Sequence, residues 1–522
     1  MSLLEVNQMK YHVESQLLLD IKKLEVHQTD RIGLVGRNGS GKTSLLNIMM
    51  GKLSPNQGSV TRRARVELIP QLKRMNTTKS GGEVTQEYIQ QALNSHAGVL
   101  LVDEPTTNLD TIHIEWVEKK LQAWQGALVI VSHDRAFLDA LCTTIWEVTE
   151  GKINEYKGHY SDYTEQKDIE KQQEQLAVEK YEREKRQLEE AIRQKEEQAQ
   201  RATKKPKNLS SSEARIKGTK TYYANQQKKL QKTATAMKTR LENLDKVNQT
   251  KEIPPIKMNL PNEDTFKNRI ILRVEEVDGK VGSRLLWEKA HFYVRGGEKI
   301  AVIGPNGSGK TTFIKKMINQ DLGITLSPSV NIGYFAQNLT ILDKEKSILE
   351  NVKETSKQNE TLIRTVLARM RFFDDDVYKP VNVLSGGERV KVALSKVFLS
   401  HVNMLVLDEP TNYLDIESLE ALEMLLKEYE GTVIFITHDR QFIREIATRI
   451  IKIENGTITD FEGSYEEYQE AKIPDEKDIQ QDDLLLLETK ISEILSRLSV
   501  EPSEALEKEF QTLLKKKQNL EN

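Results

Sequence analysis

The chain has 522 residues, 38 % of them hydrophobic and 30 % charged, with a formal net charge of −3. That length supports two or more domains with ordinary cores, and the single cysteine, Cys142, excludes an intramolecular disulfide and any cysteine-rich zinc or iron–sulfur site. The start MSLLEVNQMKYHVE lacks the basic end and unbroken apolar core of a secretory leader, and no run of about 18 apolar residues occurs, so a cytoplasmic protein with no membrane span is expected.

In chain order, the apolar run Ile32 to Val35 reads as a buried strand. It opens directly into Gly36-Arg37-Asn38-Gly39-Ser40-Gly41-Lys42-Thr43, followed by Ser44. This is the phosphate-loop pattern. Glycines let the backbone curl so that successive N–H groups face phosphate oxygens, the lysine reaches the β- and γ-phosphates, and the hydroxyl suits Mg²⁺. Downstream come Gln71 after an extended stretch, then Ser80-Gly81-Gly82-Glu83. An apolar strand from Val99 then ends in Asp103-Glu104, and another precedes Ser132-His133-Asp134-Arg135.

Thr164 to Glu252 has no counterpart elsewhere in the chain. A charged run from about Gln166 to Ala202, free of glycine and proline, carries sparse apolar residues at Ile169, Leu176, Tyr181, Leu188 and Ile192. A second run carries Leu230, Met237, Leu241 and Leu244. Both predict long helices with one thin apolar stripe, hence an antiparallel coiled-coil hairpin whose first arm is roughly 50 Å long.

Between the two helices, Arg201 to Lys232 holds ten basic residues against one acidic residue, Glu213, a local charge of +9 in an acidic chain. A charge run is usually a solvated loop. Here Lys204, Lys205, Lys207, Arg215, Lys217 and Lys220 adjoin Tyr222 and Tyr223, and cations beside aromatic faces suit RNA phosphates and bases, although the tyrosines equally suit anchoring the loop on its own helices.

The first half then repeats. Ile300 to Ile303 leads into Gly304-Pro305-Asn306-Gly307-Ser308-Gly309-Lys310-Thr311, with Thr312 next. Gln337, Ser385-Gly386-Gly387-Glu388, a strand from Met404 ending in Asp408-Glu409, and Thr437-His438-Asp439-Arg440 follow in the same order. From signature serine to strand-end aspartate is 23 residues in both copies, and from that aspartate to the histidine 30 in both. Two copies of one domain are the economical explanation. A lone histidine after a strand is usually a satisfied core residue; matched spacing in two copies favours function. Beyond the repeat, Leu484, Leu487, Ile491, Ile494 and Leu498, then Leu506, Phe510 and Leu513 across a Glu501-Pro502-Ser503 turn, predict a helical hairpin, packed on the chain or forming a second contact.

This motif order resembles the nucleotide-binding domains of the ABC ATPase superfamily, which the Ser-Gly-Gly-Glu signature sets apart from other phosphate-loop enzymes. The resemblance implies an ATP hydrolase in which the signature residues Ser80, Gly81 and Gly82, and Ser385, Gly386 and Gly387, complete an ATP site that pairs two such domains. Asp103 and Asp408, with Thr43, Thr311, Gln71 and Gln337, would serve Mg²⁺; Glu104 and Glu409 would activate water; His133 and His438 would contact the γ-phosphate. Two features depart from the pattern. Lys79 precedes the first signature where Leu384 precedes the second, and glutamine to signature serine takes 9 residues in the first copy against 48 in the second. The first copy has nearly lost the helical subdomain of that interval.

Tandem domains joined by a long helical linker resemble the ABC-F group, which acts on ribosomes. Tyr156-Lys157-Gly158-His159-Tyr160-Ser161-Asp162-Tyr163 before the arm and Glu462-Gly463-Ser464-Tyr465-Glu466-Glu467-Tyr468 at the end of the second copy fit that group. The short first domain, the KKPKN-containing arm and the helical tail look like the Vga-type antibiotic-resistance factors of Gram-positive bacteria. The expected fold is α/β: a first nucleotide-binding domain (1–163), an interdomain hairpin with a basic tip (164–265), a second nucleotide-binding domain (266–470) and a C-terminal helical extension (471–522). The resemblance implies a monomer that uses ATP and Mg²⁺ to enter the E site of the 70S ribosome. Its tip would press past P-site tRNA toward 23S rRNA at the peptidyl-transferase centre and displace lincosamides, pleuromutilins or streptogramin A. A housekeeping translation factor of the same group should keep a fuller first domain, and the ATPase subunit of a membrane importer should have a short linker without a basic tip.

Overall fold

A computed structural model of the chain describes residues 2–71, 81–95, 97–107, 109–201, 219–242, 267–336 and 341–472. Ser80, Gln337, the tip residues Lys204, Lys205, Lys207, Arg215 and Lys217, and nearly all of the C-terminal extension lie outside the described residues. The chain forms two compact units, residues 1–107 with 114–256, and residues 108–113 with 257–522.

The first unit opens with β1 (Ser2–Val13) and β2 (Gln16–His27), then β3 (Arg31–Gly36), α1 (Lys42–Met50), β4 (Gln57–Arg62) and β5 (Val66–Ile69). It continues with α2 (Gly81–Leu93), β6 (Val99–Asp103), α3 (Thr111–Gln122, whose first three residues count with the second unit), β7 (Ala127–Val131), α4 (Arg135–Leu141), β8 (Thr144–Thr149) and β9 (Lys152–Lys157). Among the described residues, the main sheet has the order β5-β6-β7-β3-β8-β9, parallel except for the β8–β9 pair. β6 and β7 are buried at every position, as near-continuous apolar strands of a parallel sheet covered on both faces must be. β1 instead alternates buried and half-buried positions, one face toward the core and one toward water, and sits in the antiparallel sheet β2-β1-β4.

The arm follows as α5 (Tyr160–Arg201) and α6 (Thr219–Glu242), which pack against each other. Arg240 pairs with Glu184 at 2.8 Å and Lys238 with Glu196 at 2.6 Å, while Ile192, Ala199 and Ala234 are buried. At 42 residues α5 is about 63 Å long. It starts earlier than the apolar spacing predicts because the Asp162 carboxylate accepts the His159 N–H at 2.7 Å, satisfying a free donor at the helix start. Ile169 and Leu176, expected on the stripe, are exposed, since no described helix faces that stretch.

The second unit repeats the plan with β10 (Ile270–Val281), β11 (Arg284–Arg295), β12 (Lys299–Ile303), α7 (Lys310–Asn319), β13 (Ile324–Leu326) and β14 (Ile332–Phe335). Then come α8 (Ile348–Lys353), α9 (Glu360–Arg369), two 3₁₀ turns (Asp374–Tyr378, Val381–Val383) and α10 (Gly386–Leu399). β15 (Met404–Asp408), α11 (Ile416–Glu428), β16 (Thr432–Ile436), α12 (Arg440–Ile446), β17 (Arg449–Glu454), β18 (Thr457–Glu462) and α13 (Tyr465–Lys472) complete it. The sheet order β14-β15-β16-β12-β17-β18 matches the first unit strand for strand. The difference lies between β14 and β15, where α8, α9 and α10 occupy an interval in which the first unit shows α2. Fully buried Trp287 fills the core beneath the second phosphate loop: a Cβ on Gly279 would fall 2.3 Å from its ring, so only glycine there admits it.

Candidate nucleotide sites

Each site begins where a buried strand runs out into the glycine loop. Gly36 and Gly304 take φ of 144° and 150°, and a Cβ on Gly304 would meet the Ile453 carbonyl at 2.2 Å, so a side chain cannot stand there. The loop carries Asn38 and Gly39, or Asn306 and Gly307, and passes through Gly41 or Gly309, both left-handed, into the first turns of α1 and α7, where Ser44 and Thr312 follow the threonines. Lys42 Nζ donates to the carbonyls of Gly36 (2.6 Å) and Arg37 (2.8 Å), and Lys310 Nζ to those of Gly304 (2.8 Å) and Pro305 (3.1 Å). Both lysines are buried, and burial pulls the Lys310 amine below its ordinary pKa against the pull of Glu409. A helix N-terminus, inward-facing amides and a poorly solvated ammonium together make an anion site sized for phosphates.

The acidic pair closes the other side. Asp103 and Asp408 end β6 and β15 and are buried, which raises both carboxyls above the usual range. Thr311 Oγ1 donates to Asp408 Oδ1 at 3.3 Å, and the Thr43 hydroxyl to Asp103. Asp103 Oδ1 is buried with no hydrogen-bond partner. A threonine hydroxyl beside an unsatisfied carboxylate oxygen is a hard-oxygen donor set that could hold a small divalent cation.

Glu104 and Glu409 adopt φ of 50° and 52°, a left-handed backbone that costs a non-glycine residue about 1–2 kcal/mol. Each N–H is held by the adjacent strand, donating to Val131 O or Ile436 O at 2.9 Å. The same strained turn in both copies swings the carboxylate off the strand end and toward the histidine. His133 Nε2 lies 3.4 Å from Glu104 Oε1, and His438 Nε2 3.4 Å from Glu409 Oε1. Burial pushes both glutamates up to about 8 against the opposing pull of Lys42 or Lys310, and burial pushes His438 down to about 3, so the imidazole is neutral. A carboxyl poised near neutrality beside a neutral imidazole suits proton transfer from water.

Each histidine backbone is clamped. The hydroxyls of Ser132 and Thr437 bond those of Thr106 and Thr411 (3.2 and 2.8 Å) and accept the N–H of Asp134 and Asp439 (3.0 and 3.1 Å). Those aspartates in turn cap α4 and α12. The second signature caps α10: Ser385 Oγ accepts the Glu388 N–H at 3.3 Å, and Glu388 Oε2 accepts the Ser385 N–H and hydroxyl at 2.8 and 2.7 Å. Gly386 and Gly387 present the first amides of that helix, with open space at the Gly386 Cβ position. In the first unit Gly81 and Gly82 open α2. Gln71 is exposed just past β5, and Lys220, Tyr222 and Tyr223 lie on the first turns of α6.

Two groups had no part in the sequence argument. The Tyr334 hydroxyl donates to Asp408, and burial followed by that charge raises the phenol to about 12. The matching position in β5 is Leu68, so only an aligned comparison of the copies would have flagged it. Within the second unit, Asp110 accepts the Asn306 N–H at 2.9 Å. Its signal was the recurrence of Asn-Leu-Asp at 108–110 and Tyr-Leu-Asp at 413–415 soon after each acidic pair.

Known proteins resemble this chain in sequence and in fold. The family profile described as ABC transporter matches residues 19–79 and 287–412. The ribosome protection protein VmlR of Bacillus subtilis is 31 % identical over 94 % of this chain and 92 % of its own length. The erythromycin resistance ATP-binding protein MsrA of Staphylococcus epidermidis is 32 % identical over 88 % and 99 %. Among solved structures, the archaeal ribosome recycling factor aABCE1, in complex with the stalk protein aP1, shares the fold with a TM-score of 0.60 at 18 % identity, over 88 % of this chain and 90 % of that one.

Proposed function

This chain belongs to the ABC-F family and is an ATP hydrolase, and from that premise we propose that it protects the ribosome against antibiotics of the peptidyl-transferase centre. The observation that carries the reading is the union of two complete phosphate loops, each with its glutamate–histidine pair, and one long arm whose tip sequence carries +9 in a chain of −3. The two relatives above are named for ribosome protection and erythromycin resistance, which supports the same reading.

In each site the loop amides and Lys42 or Lys310 bind the triphosphate. Thr43 with Asp103, and Thr311 with Asp408, would hold Mg²⁺, helped by Gln71 and Gln337; the unsatisfied Asp103 Oδ1 fits that role. When bound, the ion would supply charge neutralisation to the phosphates. Glu104 or Glu409 orients the attacking water and takes its proton, and His133 or neutral His438 steadies the γ-phosphate. The ATP-bound monomer enters the E site of the 70S ribosome in the cytoplasm. Its tip contacts P-site tRNA and 23S rRNA near the peptidyl-transferase centre, displaces lincosamides, pleuromutilins or streptogramin A, and hydrolysis releases it.

Replacing both catalytic glutamates tests this. With ATP, the Glu104→Gln/Glu409→Gln protein is expected to pellet with ribosomes in much larger amount than wild type, and equal occupancy overturns the reading. Deleting the protein in its host should lower drug tolerance; retained tolerance with intact ribosome binding points instead to a housekeeping factor.

A further inference from the structure

Two carboxylates help to fasten the arm at its root, and each leads back to a different part of the first nucleotide site. The first is Glu147 on β8. Its carboxylate is nearly buried and accepts from Tyr163 Oη (3.0 Å), Tyr156 Oη (3.4 Å) and Lys167 Nζ (3.2 Å). Tyr163 and Lys167 stand one turn apart on α5, so one carboxylate grips the arm along its inner face. In the sheet register Glu147 pairs with Val35, the residue before Gly36, and the carbonyl of Val148 lies 2.7 Å from where a Gly36 Cβ would be. The grip therefore belongs to the strand beside the phosphate loop.

The second fastener is Asp139 on α4. Its carboxylate accepts the Ser161 N–H at 2.7 Å, and its carbonyl lies 3.0 Å from His159 Nδ1, both at the arm's start. α4 begins two residues after His133 and is capped by Asp134. One fastener thus follows the phosphate loop and the other follows the histidine.

The second unit supplies an internal control. At the separation that relates His133 to His438, Glu147 corresponds to Lys452, Asp139 to Arg444 and Tyr163 to Tyr468. Lys452 bonds Tyr468 and pairs with Glu454, and Arg444 pairs with Glu466 at 3.0 Å. Both positions change sign, but only Arg444 pairs with a charge on α13; the partner of Lys452, Glu454, lies on β17 itself, and Lys472 stands where α5 has Lys167.

We propose that Glu147 and Asp139 are positioning residues that transmit the state of the first nucleotide site to the arm. The proposal rests on the reading that the arm is the part that acts on the ribosome, but its core can be measured without ribosomes. Spin labels at exposed Leu176 on α5 and Lys152 on β9 report the arm's direction by pulsed electron resonance. The full chain with Glu104→Gln/Glu409→Gln should show a narrow distance distribution that shifts when ATP is added. Glu147→Lys should broaden it and abolish the shift, and Glu147→Lys with Lys167→Glu should restore both. In the otherwise wild-type chain, Glu147→Lys should lower ribosome-stimulated ATPase about tenfold, the scale of one charged hydrogen bond, while basal kcat and KM for ATP stay unchanged. A Glu147→Lys arm that keeps its narrow, shifting distance overturns the proposal. So does failure of the reversed pair to restore it while shape-preserving Glu147→Gln melts like wild type. If the distances behave as expected but ribosomes stimulate no turnover, the joint stands and the ribosome reading falls.

Discussion

Glu409 Oε1 and His438 Nε2 stand 3.4 Å apart, and Glu104 and His133 repeat that separation in a different unit of the same chain. Burial raises each glutamate from 4.5 to about 8, so between those values the folded protein binds more protons than the unfolded chain. Stability must then fall as pH rises through that window. Glutamine cannot ionise, so Glu104→Gln/Glu409→Gln should melt like wild type near pH 5 and several degrees higher at pH 9. Thermal unfolding across that range checks it, and parallel curves contradict it.

Gly304 has no room for a side chain. Gly304→Ala forces a Cβ to within 2.2 Å of the Ile453 carbonyl at a φ of 150°, so the loop must move off the strand end. A loss of more than about 1 kcal/mol in stability is expected, together with loss of nucleotide binding at the second site. Calorimetric unfolding and titration with a fluorescent ATP analogue in a Lys42→Ala background, where only the second site is intact, measure both.

Tyr334→Phe should act on one site alone, because the first copy has Leu68 at that position. Removing a single hydroxyl donor from Asp408 is worth about 1 kcal/mol, roughly fivefold in the Mg²⁺ concentration for half-maximal turnover. The shift should appear with Glu104→Gln, where only the second site turns over, and vanish with Glu409→Gln.

The tip should separate ATP chemistry from drug protection. Replacing residues 209–220 with a neutral Gly/Ser linker removes Arg215, Lys217 and Lys220 and leaves both sites untouched. Drug tolerance is expected to be lost with basal ATPase intact, and minimum inhibitory concentrations beside phosphate-release rates decide it.

The doubled α/β plan was legible because its strands are short apolar runs ending in residues whose chemistry admits few substitutes. The 23- and 30-residue spacings, equal in both copies, link signature, aspartate and histidine within the sequence itself. What sequence could not show was conformation. Nothing in Asp-Glu says that Glu104 and Glu409 turn left-handed, and only that turn brings their carboxylates to the histidines. Helix edges were similarly obscured: α5 starts at Tyr160 through one aspartate–amide bond, and no apolar period could reveal it. Tyr334 escaped because it is a single hydroxyl in an apolar strand, recognisable only once β14 lies beside β15.

Trp287 has a consequence for observation. Its ring edge lies 2.5 Å from where a Cβ on Gly309 would be, and against Phe313 of α7, whereas Leu18 and Leu19 fill the equivalent place behind Gly41. The chain therefore carries a native fluorophore directly behind one glycine loop and aliphatic carbon behind the other. Emission that changes on nucleotide addition and disappears in Trp287→Phe would record occupancy of one half without any dye.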